Sequence, residues 1–181
     1  MKHINRFRAP LGALLITLVI FTFSSCFLFQ EPTIPVVGEW ELTGSFGTET
    51  WDITESTISY DGGWGYGYTA DIITIGLNTF NAGDMTITSS GAPPVDDYGY
   101  AVIKYTSSSD AGTGEVGKYN IFRWQDNEGD QSKKDFGQGY KQTSESNYDN
   151  LVFNTASQAQ TGATNTQGYF SFVSSGASKV E

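Results

Sequence analysis

Tyr98-Gly99-Tyr100-Ala101-Val102-Ile103-Lys104-Tyr105 is the stretch on which the fold turns. Its residues alternate in character. Tyr98, Tyr100, Val102 and Lys104 share one face, and Gly99, Ala101, Ile103 and Tyr105 share the other. A period of two is the signature of a β-strand. Loops flank it: Gly91 to Asp97 with Pro93 and Pro94 before it, and the polar, glycine-rich Ser107 to Val116 after it.

The same period recurs outward from this strand. Towards the N-terminus, Trp40 and Leu42 alternate with Glu39, Glu41 and Thr43, and Trp51 and Ile53 alternate with Thr50, Asp52 and Thr54. Gly44 and Gly47 bracket the bend between them, and Thr57 to Tyr60 is a third short strand that ends at the turn Asp61-Gly62-Gly63. Trp64, Tyr66 and Tyr68 then form a ladder of rings with Gly65 and Gly67 between them, and the strand continues through Ile72, Ile73 and Ile75. Asn81 to Asp84 is a turn before Met85 and Ile87.

Towards the C-terminus, Lys118 to Trp124 is the next strand. Tyr119, Ile121 and Arg123 face one way, and Asn120, Phe122 and Trp124 the other. Both faces carry apolar bulk, so one is covered or lines a cavity. Gln125 to Asp135 is strongly polar and predicts a long loop, Gly137 to Lys141 predicts a strand, and Gln142 to Asn150 is polar again. Residues 151–160 read either as a strand from Leu151 or as the approach to a short helix capped at Asn154 or Thr155. Tyr169, Ser171 and Val173 alternate with Phe170 and Phe172 in the last predicted strand. Eight or nine strands joined mostly by short turns define an all-β domain, an antiparallel barrel or sandwich.

Composition agrees. The chain has 21 glycines and 26 aromatic residues in 181, the make-up of short strands and turns. It opens differently. Lys2, Arg6 and Arg8 precede an apolar run from Leu11 to Phe21, and Ser24 and Ser25 stand before Cys26, the only cysteine. Basic start, apolar centre and small residues are the parts of a secretory signal over residues 1–25. The run is 11 residues long, short of the ~20 that cross a bilayer. Extending it to Phe29 across the two serines keeps an uncleaved anchor as one alternative, and simple secretion is another. Residues 26–35, with Pro32 and Pro35, read as a tether, and residues 36–181 as one domain. Beyond residue 25 there are 7 Lys and Arg against 20 Asp and Glu. Such an acidic chain lacks the basic footprint that nucleic acid or an anionic lipid surface requires.

Phe23-Ser24-Ser25-Cys26 resembles the lipobox of bacterial lipoproteins, with Phe23 where leucine is usual. The resemblance implies cleavage before Cys26, acylation of its thiol, and a lipid-anchored protein of the outer membrane or cell surface. Gly38-Glu39-Trp40 resembles the glycine-x-tryptophan signature of the lipocalin and calycin families. With the order of strands around it, the domain is similar to small lipocalin-like surface lipoproteins of spirochaetes and related bacteria, whose function is mostly unknown. This implies a single up-and-down antiparallel barrel of about eight strands, with Trp40 plugging one end. That family usually sets an arginine over the tryptophan from a late strand; the sole arginine beyond the leader here is Arg123.

Catalytic chemistry has little to stand on. The only histidine, His3, lies in the leader, and no phosphate loop or nucleophile elbow occurs. No cofactor or metal is expected; Asp126-Asn127-Glu128-Gly129-Asp130 offers oxygen ligands but lacks the spacing of the twelve-residue calcium loop. Two functional readings remain. In one, Trp51, Trp64, Tyr66, Tyr68, Tyr100 and Trp124 line a cup for a small apolar ligand. In the other those rings fill the barrel, and the protein is a surface interaction or adhesin-type module that binds a protein partner. A lumen of ~300 Å³ or more would favour the first.

Overall fold

The computed structural model describes residues 33–45, 47–63, 65–87, 97–109, 114–144, 147–149, 152–170 and 173–181. The leader, Cys26 and Trp64 lie outside these residues. Among these residues ten strands form: β1 Gly38–Gly44, β2 Gly47–Ile53, β3 Thr57–Asp61, β4 Gly67–Leu77, β5 Tyr98–Ser108, β6 Tyr119–Asn127, β7 Asp130–Gln138, β8 Lys141–Ser144, β9 Asn147–Asp149 and β10 Ser174–Lys179. An α-helix, α1, spans Ala156–Gly162.

β1 to β7 follow one another around a closed barrel, and β10 fills the gap between β7 and β1. All eight neighbours pair antiparallel. This is the lipocalin-like up-and-down barrel, and closure leaves no free sheet edge. β8 and β9 form a separate two-stranded hairpin.

Alternation decides what faces inward. The Gly99, Ala101, Ile103 and Tyr105 face of β5 is the inner one; Ala101, Ile103 and Tyr105 belong to the core with Trp51, Ile53, Ile58, Tyr68, Phe122, Trp124 and Phe136. One inward glycine-to-ring pairing saves space. Gly99 stands opposite Trp124, and a Cβ on Gly99 would lie 2.6 Å from the indole ring. The other face of β5 and β6 is covered rather than solvated. Tyr100, Val102 and Ile121 pack there with Ala159 and Ala163 of the α1 region and with Tyr169 and Phe170. Thr155 caps α1, its Oγ1 accepting from the Gln158 amide at 3.2 Å, which selects the helical alternative for this segment.

The barrel has two unlike ends. At one, Trp40 is buried over the interior; its Nε1 donates to the Val36 carbonyl at 2.8 Å, and Ile34 and Val36 are buried with it. Gly38 is explained by the same corner. Its φ is +131°, and a Cβ there would come within 2.7 Å of the Lys179 side chain, so only glycine fits without strain. Lys179 Nζ lies 5.8 Å from the Trp40 ring centroid and donates to the Val37 carbonyl at 3.1 Å. A late-strand lysine thus stands over the tryptophan. Arg123 does not; it faces outward beneath α1.

Three sequence expectations are corrected. Gln125 to Asp135 is not a long loop: β6 runs to Asn127 and β7 begins at Asp130. The polar residues satisfy one another across the hairpin, Lys134 with Asp126 and Asn127 with Asp135 at 2.8 Å, while Asn127 Oδ1 accepts from the amides of Gly129 and Asp130. The same pairing occupies Asp126 of the candidate calcium loop. The last strand is not 169–173 but Ser174–Lys179. Its composition is weakly β-forming, and it is held by partners: a bulge at Gly176, φ +87°, is secured by Asp135 Oδ1, which accepts from the Gly176 amide at 2.9 Å and Ser175 Oγ at 2.8 Å. Finally, of the 64–68 ring ladder only Tyr68 lies on β4. Tyr66 lies in the β3–β4 connection, with the Gly62 amide donating to the Tyr66 carbonyl at 2.7 Å; Trp64 lies outside the described residues.

Candidate functional site: a cup at the open end of the barrel

The end opposite Trp40 holds a cavity of about 400 Å³. Strand parity builds it. Glu49 and Trp51 come from β2, Tyr60 from β3, Phe122 from β6, Phe136 and Gln138 from β7, and Ser174 from the start of β10. Tyr66 and Tyr140 stand at the rim on connecting segments. The register aligns Trp40, Trp51, Tyr60 and Tyr68 across β1 to β4, so large rings meet across neighbouring strands. Trp51 lies 5.3 Å from Tyr60 and 4.9 Å from Phe136; Phe136 lies 5.4 Å from Phe122. Below these rings the barrel is filled, and Trp40 meets Phe136 edge-on at 5.8 Å. The cavity is therefore a cup above a packed floor.

Polar groups are few and placed. Glu49 Oε2 accepts from Ser174 Oγ at 2.6 Å and from the Tyr60 hydroxyl at 3.2 Å. Burial, and then the adjacent Glu49 carboxylate, push the Tyr60 phenol well above the usual tyrosine range. Deeper, the Tyr105 hydroxyl accepts from Gln138 Nε2 at 2.5 Å and from Asn120 Nδ2 at 3.1 Å. The Tyr68 hydroxyl and the Trp124 indole N–H are buried with no partner among the described residues.

Of the six rings expected to act together, Trp64 lies outside the described residues, and the other five are divided by the structure. Trp51 and Tyr66 line the cavity, Tyr66 with about half its surface exposed. Tyr68 and Trp124 lie in the buried core and do not line it. Tyr100 is on the outer face under α1, where its hydroxyl accepts from Gln160 Nε2 at 2.8 Å. Parity excludes it from the lumen, because it shares a face with Val102 while Ala101 and Ile103 point inward. Tyr60, Phe122, Phe136 and Tyr140 were not singled out beforehand. Their signal was present, since Tyr60 pairs with Trp51 and Phe122 alternates with Trp124, but which face turns inward becomes visible only once the barrel closes.

Closed sheet and open cup make this an eight-stranded up-and-down β-barrel with a cavity at one end. No protein-family model matches the sequence, and no curated protein or solved structure matches it either.

Proposed function

We propose that this chain is a lipid-anchored binding protein of the lipocalin-like lipoprotein kind, which holds a small apolar ligand in the open end of its barrel. One observation carries the binding reading: the aromatic cup of about 400 Å³ over a packed floor. Ligand sites of this sort are concave, mainly apolar and furnished with a few convergent polar groups. The volume exceeds the ~300 Å³ that separates a ligand site from a barrel filled by its own side chains, and so favours binding over a module that works only through its surface.

Anchoring rests on the leader and on Cys26. Acylation there would put the tether of residues 26–35 between the lipid and the domain; within it Ile34 is buried among the described residues. No described helix is long and apolar enough to cross a membrane.

Native mass spectrometry of the full chain purified from its own organism tests both parts. A ligand mass released on unfolding, and an acyl mass that stays on Cys26, are the expected results. A folded protein with no added ligand mass counts against the cup as a binding site. A free Cys26 thiol, or a chain still starting at Met1, counts against the anchor.

A further inference from the structure

The cup carries a charge that none of the described residues neutralises. Glu49 is the only charged side chain among the described residues that line it. Its Oε2 is held by two neutral hydroxyls, Ser174 and Tyr60, and its Oε1 has no partner among the described residues. No described lysine or arginine lies within ion-pair distance of it. Elsewhere the same barrel pairs two sheltered carboxylates with cations, Asp84 with Arg123 and Asp126 with Lys134, whereas Asp135 is held by the neutral donors Asn127, Ser175 and the Gly176 amide. A half-buried carboxylate without a counter-ion bears a desolvation cost that a cation would relieve. The surroundings suit an organic cation rather than a metal ion. Trp51, Tyr60, Tyr66 and Tyr140 line it with aromatic rings, and aromatic rings attract an ammonium or quaternary ammonium group. A hard metal ion needs several oxygen ligands, and no group of three acidic, histidine or cysteine side chains able to hold one occurs among the described residues.

Strand geometry orders the two ends of such a ligand. Glu49 precedes Trp51 by two residues on β2, so it lies about 7 Å nearer the mouth along the strand. Below it are the rings of Trp51, Phe122 and Phe136. Resting on the cup being a ligand site, we infer that its ligand is a cationic amphiphile. An amine or quaternary ammonium head sits beside Glu49 at the rim, and an apolar body sits against Trp51, Phe122 and Phe136. The chain's formal net charge of −10 draws such a molecule towards the protein.

Three probes of equal chain length separate the alternatives: octyltrimethylammonium, octanol and octyl sulfate. Each is titrated below its micelle concentration into the full chain held in phosphatidylcholine nanodiscs, with empty discs as reference and tryptophan emission as readout. Octyltrimethylammonium is expected to bind about tenfold or more tighter than octanol, and octyl sulfate weakest. Glu49→Gln is expected to reduce ammonium binding about tenfold or more, to no tighter than alcohol binding. Alcohol and ammonium binding equally, or sulfate binding best, overturns the cationic ligand and leaves the apolar cup standing. Binding of none of the three overturns the cup as well. The wild-type ranking decides the matter even if Glu49→Gln fails to fold.

Discussion

At the scale of single residues, Arg123 shows how much of this fold hangs on one side chain outside the barrel. It is fully buried on the outer face of β6. Its Nε and one terminal nitrogen donate to Asn81 Oδ1 at 2.8 and 2.6 Å, and the same terminal nitrogen reaches Asp84 Oδ2 at 2.7 Å. Its other terminal nitrogen donates to the Thr86 carbonyl at 3.0 Å, and its guanidinium carbon stands 3.7 Å from the Phe170 ring centroid. It pins two connecting segments to one strand. Arg123→Ala leaves Asp84 and Asn81 without their cation, and the expected loss in urea unfolding is about 3–5 kcal/mol; a loss below about 1 kcal/mol would show that the segments hold themselves. Tyr68 predicts the opposite sign. Its buried hydroxyl has no partner among the described residues, so Tyr68→Phe forfeits no hydrogen bond seen there and is expected to be neutral or stabilising by up to about 1 kcal/mol. The same substitution has a pH signature. Burial, then the neighbouring tyrosines, raise the Tyr68 phenol far above its ordinary value, and Tyr60 is raised as well. Above pH ~10 the unfolded chain releases these protons while the folded chain keeps them. Stability is therefore complete below that pH and falls as the solution becomes more alkaline. Denaturant midpoints measured from pH 8 to 11 are expected to fall less steeply for Tyr68→Phe than for the native chain.

At the scale of elements, the strands that could be read from the sequence are those whose own alternation specifies a buried face. β1, β2, β3, β5 and the first two-thirds of β6 carry rings or branched side chains at every second position, so a period of two appears without tertiary knowledge. β7 and β10 do not. In β7, Asp130 to Lys133 are exposed or half-exposed, and Lys134 and Asp135 tolerate burial only because Asp97, Asp126, Asn127 and Ser175 satisfy them. Those partners are up to forty residues away, and no local pattern announces them. β10 is the extreme case: Ser174 to Lys179 gains its strand conformation from β7 and β1 on either side. The cup suffers the same loss of legibility. Trp51 could be named from β2 alone, whereas Ser174 could not, because it belongs to a strand that only closure creates. Helix α1 was legible through its cap. Seven residues are too few to be stable alone, so Thr155 and the burial of Ala159 and Ala163 must carry it. Thr155→Ala is expected to cost about 1 kcal/mol in equilibrium unfolding, with β-sheet circular dichroism retained. An unchanged midpoint would mean that docking alone fixes the helix.

At the scale of the whole molecule, the barrel divides its work between its two ends. The closed end is held by Trp40 and by a sheltered ion cluster, in which Lys134 Nζ donates to Asp97 Oδ2 at 2.8 Å and contacts Asp126. Burial opposes the charge on Lys134, but hydrogen bonds to Asp126 and Asp97 outweigh it and raise the ammonium pKa. The open end is lined by the rings of Trp51, Tyr60, Tyr66, Phe122, Phe136 and Tyr140. A division of this kind makes stability and binding separable by position. Lys134→Met removes the cation and strands Asp126 in a buried site, so the unfolding free energy is expected to fall by about 3 kcal/mol or more. The cup lies at the opposite end of the same strands, so octyltrimethylammonium affinity of the folded variant is expected to remain within about twofold of the native value. Tyr66→Ala is the converse. Tyr66 is half-exposed at the rim, and its removal is expected to change stability by no more than about 0.5 kcal/mol. It withdraws one ring from the cation and is expected to weaken binding by about threefold or more. Measured together by urea unfolding and by titration, the two variants should fall on different axes. If Lys134→Met weakened binding as strongly as it weakens the fold, the cup would depend on the closed end through the strands that join them, and the barrel would act as one coupled body rather than a plugged base carrying an independent mouth.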